Sequence, residues 1–288
     1  MESLLRRKPA GREGLAFRRI SLKGGNVLPV FKAPQLDGTG IVRHFFTTRE
    51  GGVSEGHLSS LNLSFSRGDD PENVRENFAR VAEAIGQPQD HFVFTDQTHT
   101  ANVRVVTEED AGKGLTKPRD YTAVDGLVTN VPGLVLSAFI ADCVPVMFVD
   151  PVRHCIGLSH SGWRGTAGRI GRETVRILHE QYGTDPADLY CAIGPSICQD
   201  CYEVSKDVAD VFAAEFAGHE DEILIAKENE KYQLDLWKAN EIVLTEAGIR
   251  PEHITVTDVC TCCNPDLLFS HRASKGMRGN LGAFLTLI

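Results

Sequence analysis

Three consecutive runs, residues 134–140, 144–149 and 155–158, are nearly all apolar and are separated by only a few residues each. Strands that are apolar along their whole length are buried on both faces, as in layered α/β domains. Parallel neighbours need a crossover of a dozen residues or more. The connections here are shorter, so part of the sheet must run antiparallel. The run 134–149 is broken by Asp142, Cys143 and Pro145, and is too short and too interrupted to span a bilayer.

Four helices are readable around these strands. The first covers 71–85, with Asp70 as cap, Pro71 in the first turn, an inward stripe of Val74, Phe78, Val81 and Ile85, and Gly86 as stop. The second runs from after Gly165 to Tyr182, with Ile170, Ile177 and Leu178 inward. The third covers 205–217, with Val208, Val211, Phe212 and Phe216 inward, and the fourth 235–247, with Gly248 as stop. Further strands are expected at 42–46, 103–106, 126–129, 189–193, 254–258 and 283–288. The alternation of strands and helices predicts a layered α/β domain. Residues 1–30, basic and weakly patterned, form an N-terminal extension or an edge strand.

The net charge of -9 argues against a chain built mainly to grip nucleic acid or an anionic membrane, both of which call for an excess of Lys and Arg. Residues 1–15 carry Arg6, Arg7, Lys8, Arg12 and Glu13 with no apolar run, so no secretory signal is visible. A reducing, cytoplasmic setting is expected, with the eight cysteines free or metal-bound.

Three segments place metal-competent side chains at strand ends: Gln97-Thr98-His99, Ala141-Asp142-Cys143 and His160-Ser161-Gly162-Trp163-Arg164-Gly165. His99, Cys143 and His160 together would make a first shell for a catalytic zinc ion with one position open. The plain alternative is a loop-capping His99, a buried Cys143 and a His160 satisfying a strand end. The same residues also fit a Cys143 nucleophile with His160 or His99 as base. The Gly-rich turn after His160 suits an anion, with Arg164 as a fork donor, although Walker A spacing is absent. A second Gly-containing loop, Thr47 to Ser54, carries Arg49 and precedes Asn62. The ten histidines include no H-x-H pair, which counts against a copper cluster. Cys198-x-x-Cys201 and Cys260-x-Cys262-Cys263 offer thiolates for a structural zinc ion; their wide separation leaves free thiols as the alternative.

Taken in order, several of these segments identify a resemblance. Thr47-Thr48-Arg49-x-Gly51-Gly52-Val53-Ser54, Ser60-Leu61-Asn62-Leu63, Gly68-Asp69-x-Pro71, Gln97-x-His99, Asp125, Ala141-Asp142-Cys143, His160-x-Gly162-Trp163-Arg164-Gly165, Gly194-Pro195, Tyr202-Glu203-Val204 and Phe269-Ser270-x-Arg272 resemble the laccase-domain family over about residues 40–288. That family is also known as multicopper polyphenol oxidases and as purine nucleoside phosphorylases. The resemblance implies a single-domain mixed α/β sandwich over residues 31–288, similar to that of cysteine-type deamidase toxins, and catalytic zinc on the residues matching His99, Cys143 and His160. It implies phosphorolysis of adenosine, inosine and S-methyl-5'-thioadenosine with phosphate as co-substrate, plus adenosine deamination, in a monomer or homodimer. Cys-dependent amidase and copper polyphenol oxidase chemistry are the alternatives. On this reading Arg49, Asn62, Asp142 and Arg164 bind substrate: Arg49 and Arg164 take the anion, and Asp142 orients a ligand or shuttles protons. Two departures stand out: His271 where the family often has Tyr, and the extra thiols Cys198, Cys201, Cys262 and Cys263.

Overall fold

The computed structural model describes residues 5–8 and 14–288 and contains two six-stranded sheets and a small third one. Along the first sheet lie, in order, β1 (Ala16–Ser21), β2 (Val27–Lys32), β3 (Val42–Thr47), β15 (Leu281–Leu287), β7 (Val135–Ile140) and β4 (Phe92–Phe94). The second contains β14 (Ile254–Thr255), β10 (Tyr190–Ile193), β8 (Val144–Asp150), β9 (Cys155–Ser161), β6 (Gly126–Thr129) and β5 (Val103–Val105). The third is β11 (Glu203–Ser205), β13 (Lys231–Leu234) and β12 (Leu224–Ala226). The helices are α1 (Pro34–Asp37), α2 (Pro71–Ile85), α3 (Trp163–Ala167), α4 (Ile170–Tyr182), α5 (Lys206–Glu215), α6 (Glu220–Ile223), α7 (Leu236–Glu246) and α8 (His271–Ser274).

Period-two alternation explains the layering. Leu136, Ala138 and Ile140 of β7 face Met147, Val149, Ile156 and Leu158 of β8 and β9 in a core between the two large sheets. The other face of β7, through Val135 and Phe139, packs with Phe78 and Val81 of α2. The other face of β8, through Val144, Val146 and Phe148, packs with α4 and α7. The result is a mixed α/β sandwich of four layers, α2, sheet, sheet, helices. All three apolar runs are buried strands, and β8 pairs antiparallel with β9 as their short connection requires. Yet β7 and β8 do not pair. Residues 141–143 step from one sheet to the other, which leaves Cys143 at the seam between layers.

The first helix matches its sequence reading at both ends: Asp70 accepts from the Glu72 amide and Gly86 takes a left-handed φ of 74°. The second divides into α3 and α4 at Arg169, whose φ is 60°; Arg169 is held there by Glu246 and by Phe216, over which it stacks at 4.0 Å. Val211, expected inward on α5, is 39% exposed, so the buried stripe of that helix is narrower than its apolar pattern. The strand expected at 254–258 ends at Thr255, because the backbone and side chain of Asp258 engage the N-terminal segment instead. Asp258 accepts from the Lys8 amide at 2.7 Å and from the Arg7 guanidinium at 2.6 Å. Of the expected N-terminal extension, residues 16–21 are the edge strand of the first sheet, paired with β2, and position 30 falls inside β2. Arg12 and Glu13 lie outside the described residues.

Candidate active site

Alternation along β9 places the first candidate ligand. Ile156, Leu158 and His160 point between the sheets; Ser159 and Ser161 point the other way, bonded to Thr174 and Asn240. His160 therefore emerges at the strand end inside the seam, 3% exposed. Cys143 enters from the crossover before β8. His99 comes from the loop between β4 and β5 and adopts a left-handed φ of 66°.

That loop is shaped by Asp125, which stands just before β6 and is fully buried. Its carboxylate accepts the amide N–H groups of Thr98, His99 and Thr100 at 2.9–3.1 Å, and the Thr100 hydroxyl at 2.9 Å. It also accepts from His160 Nδ1 at 2.8 Å. Burial opposes the Asp125 charge, but the bonds from His160 and Thr100 outweigh it and hold the carboxyl below its usual range. An ionised acceptor on Nδ1 fixes the proton there and leaves His160 Nε2 as the free lone pair.

Cys143 Sγ lies 3.9 Å from His99 Nε2, and the ligand atoms of His99, Cys143 and His160 all lie within 4.8 Å of one another. A tetrahedral zinc ion asks for about 3.6 Å between a sulfur and a nitrogen ligand, so the donor set fits one ion after small movements. The glycine of the His160–Gly165 segment has a spatial reason: a Cβ on Gly162 would stand 2.8 Å from His99 Cδ2 and 3.1 Å from Cys143 Sγ. Without metal, burial pushes the Cys143 thiol up, but the neighbouring His160 charge and hydrogen bonds more than reverse this and bring it down to about 6. Burial likewise depresses His160, and the Cys143 charge with the Asp125 bond raises it to about 9. The pair is then a thiolate and an imidazolium.

These three residues form one wall of a cleft of about 590 Å³, a volume typical of small-molecule sites. Its lining includes the cations Arg67, Lys117, Arg119 and Arg278 and the rings Phe65, Phe94 and Phe139. Arg119 is spoken for by Asp96 at 2.7 Å. Arg278 donates through one terminal nitrogen to Asn280 Oδ1 and to the Gly279 carbonyl, burial and the charge of Arg67 lower it to about 10, and its Nε is a buried donor with no partner.

The four residues expected from sequence to bind substrate, Arg49, Asn62, Asp142 and Arg164, do not line this cleft. Arg49 donates to the carbonyls of Ser59, Pro265 and His57 and stacks on Phe269, so it ties loops together. Asn62 bonds Ser64, Asp69 and the Asn280 amide within the loop beside the cleft. Arg164 lies over Trp163. Asp142, with φ 94°, accepts from the Thr261 hydroxyl at 2.6 Å and the Arg272 amide at 2.7 Å, so its carboxylate braces the crossover. The orienting role considered for Asp142 is filled on His160 by Asp125. Sequence reasoning missed the cleft residues Arg67, Arg278 and Phe139; none belongs to a local pattern that marks it.

The family model for multi-copper polyphenol oxidoreductase laccase matches residues 43–288. A Bacillus subtilis protein named purine nucleoside phosphorylase YlmD is 39% identical over 246 residues, covering 83% of this chain and 86% of that protein. The crystal structure of Bacillus licheniformis hypothetical protein YfiH superposes with a TM-score of 0.86 at 34% identity, covering 94% of this chain and 99% of that one. That of YlmD from Geobacillus stearothermophilus gives 0.83 at 36% identity, covering 93% and 98%. Among the described residues no helix is long and apolar enough to cross a membrane.

Proposed function

We propose, for a chain that belongs to the multi-copper polyphenol oxidoreductase laccase family, that the cleft is the active site of a zinc-dependent purine nucleoside phosphorylase with adenosine deaminase activity. The observation that carries this reading is the convergence of His99, Cys143 and His160 at the wall of a cleft lined by both cationic and aromatic side chains. His99 Nε2, Cys143 Sγ and His160 Nε2 would hold the ion. Zinc bound there supplies Lewis acidity and lowers the pKa of water, the chemistry on which deamination draws.

The protein's own groups supply the rest. Phe65, Phe94 and Phe139 offer faces and edges for a purine ring. Arg278 and Arg67, which line the cleft, are the candidates for phosphate in place of Arg49 and Arg164, which do not: Arg49 donates to loop carbonyls and Arg164 lies over Trp163. In phosphorolysis a phosphate oxygen bonds to the ribose anomeric carbon as the bond to the purine nitrogen breaks; the base leaves with that electron pair and takes up a proton. Asp125 keeps the His160 proton on Nδ1 throughout. Adenosine, inosine and S-methyl-5'-thioadenosine are the expected substrates.

The test is incubation of zinc-loaded protein with each nucleoside, with and without phosphate, followed by chromatography of bases and sugar phosphates. Free base that appears only with phosphate, and inosine formed from adenosine, are expected. No base released with phosphate would overturn the reading. The activated Cys143 thiolate favours one alternative, a Cys-dependent amidase. Activity that survives a strong chelator together with an acyl adduct on Cys143 would select it. Copper polyphenol oxidase chemistry would require tightly bound copper and its visible absorption.

A further inference from the structure

The function proposed above uses one of the eight cysteines. Four others meet where two loops bond to the Cys143 crossover. The sulfurs of Cys198, Cys201, Cys260 and Cys263 all lie within 4.8 Å of one another, with Cys201 to Cys263 at 3.5 Å and Cys198 to Cys263 at 4.0 Å. Four thiolates at the Zn–S distance of about 2.3 Å stand about 3.8 Å apart at the corners of a tetrahedron. A disulfide needs about 2.05 Å, and all eight cysteines are free.

The local chain supports an ion rather than four idle thiols. The four residues form two C-x-x-C pairs, Cys198 to Cys201 and Cys260 to Cys263, and Cys262 lies outside the cluster. The Cys260 sulfur already accepts two backbone amides, from Cys198 at 3.2 Å and Cys263 at 3.4 Å; sulfur accepts such bonds best as a thiolate. Lys8 pairs with Asp200 inside the first pair at 2.6 Å and its charge reaches Cys198 and Cys263. A zinc tetrathiolate carries two negative charges, and this ammonium, shared with Asp200, offsets them in part.

We propose that Cys198, Cys201, Cys260 and Cys263 bind a structural zinc ion, distinct from the cleft, that clamps the two loops bracing the Cys143 crossover. Binding replaces four S–H bonds by four Zn–S bonds and releases four protons to solvent. The mechanical link is direct. From the first loop, the Ile197 amide donates to the Asp142 carbonyl at 3.0 Å; from the second, the Thr261 hydroxyl donates to the Asp142 carboxylate at 2.6 Å. The Thr261 amide joins the loops by donating to the Ser196 carbonyl at 3.1 Å. Asp142 directly precedes Cys143. The ion thus fixes both supports of the residue that positions the Cys143 thiol. With all four positions taken by sulfur, it has no open site for substrate.

The inference stands independently of the nucleoside reading, and its test separates the two. Metal content is measured by mass spectrometry on full-length protein: wild type, His99→Ala/His160→Ala, Cys198→Ser/Cys201→Ser, and Cys262→Ser as control. About two, one, one and two zinc ions per chain are expected. Zinc retained in the histidine variant supports the tetrathiolate site whatever the enzyme assay shows. A histidine variant with no zinc would overturn it. Should the serine variant not fold, the histidine variant refolded with Co²⁺ replaces it: intense thiolate-to-cobalt charge transfer and tetrahedral d–d bands support the site, and pale octahedral absorption refutes it.

Discussion

Replacing Asp125 by Asn removes one charge and no volume, and its effect can be worked through bond by bond. The carboxylate accepts five hydrogen bonds, from the amides of Thr98, His99 and Thr100, the Thr100 hydroxyl and His160 Nδ1. An amide has one oxygen to accept with. If that oxygen faces Thr98 and Thr100, the new NH₂ faces the His99 amide and His160. One backbone donor is then stranded, and the His160 ring must accept at Nδ1 and carry its proton on Nε2, aimed at the metal position. If the amide is turned over, His160 keeps its tautomer, but the amides of Thr98 and Thr100 are stranded. Each stranded buried donor costs about 1–3 kcal/mol. The metal-free variant therefore prefers the first arrangement, and metal binding must drive it into the second. The difference of one stranded donor, about 1–3 kcal/mol, predicts about 5- to 150-fold weaker zinc binding, in line with the usual range for a partner behind a ligating His. Folding stability also falls by about 1–3 kcal/mol, from the donor stranded in either arrangement. Competition against a chromophoric chelator measures the first and thermal unfolding of the metal-free protein the second. Zinc affinity unchanged in D125N would refute the reasoning about the tautomer.

Further predictions concern the same centre. Gly162→Ala puts a methyl 2.8 Å from the His99 ring; because His99 faces the open cleft it can move away, so zinc affinity should fall at least about tenfold while unfolding shifts little, and wild-type zinc affinity would refute this. In metal-free protein the folded thiol of Cys143 titrates near 6, so its alkylation by iodoacetamide should rise as pH increases through about 6 and level off below the ordinary thiol range. Zinc should suppress that reaction, and a midpoint above 8 would contradict the thiolate–imidazolium pair. Arg278→Met keeps most of the side-chain volume and removes the cation, so KM for phosphate should rise at least about tenfold with a smaller change in KM for nucleoside; equal changes would assign Arg278 to general packing.

Two kinds of residue separate what was legible early from what was not. The helix at 71–85 could be read to its ends because its signals are local: a capping Asp70, a proline in the first turn, a 3.6-residue stripe and Gly86. The three apolar strands were legible for the same reason. The narrower buried face of α5 and the early end of β14 were not, because distant partners decide them, including Arg7 and Lys8 on Asp258. In the cleft, the metal-competent side chains stood out by their chemistry, whereas Arg278 and Phe139 are ordinary residues that matter only through their neighbours.

The sequence alone determined the strand and helix alternation, the layered α/β class and the three candidate ligands, since all of these rest on periodicity or on side-chain chemistry. Tertiary structure decided that residues 141–143 cross between sheets, which carries Cys143 to the seam opposite His160. It also decided that Asp125 rather than Asp142 holds the histidine, and that two C-x-x-C pairs far apart in the chain close on one point. The physical reason is common to all three: each depends on a contact between residues remote in sequence, and no local propensity encodes which remote residue will be there.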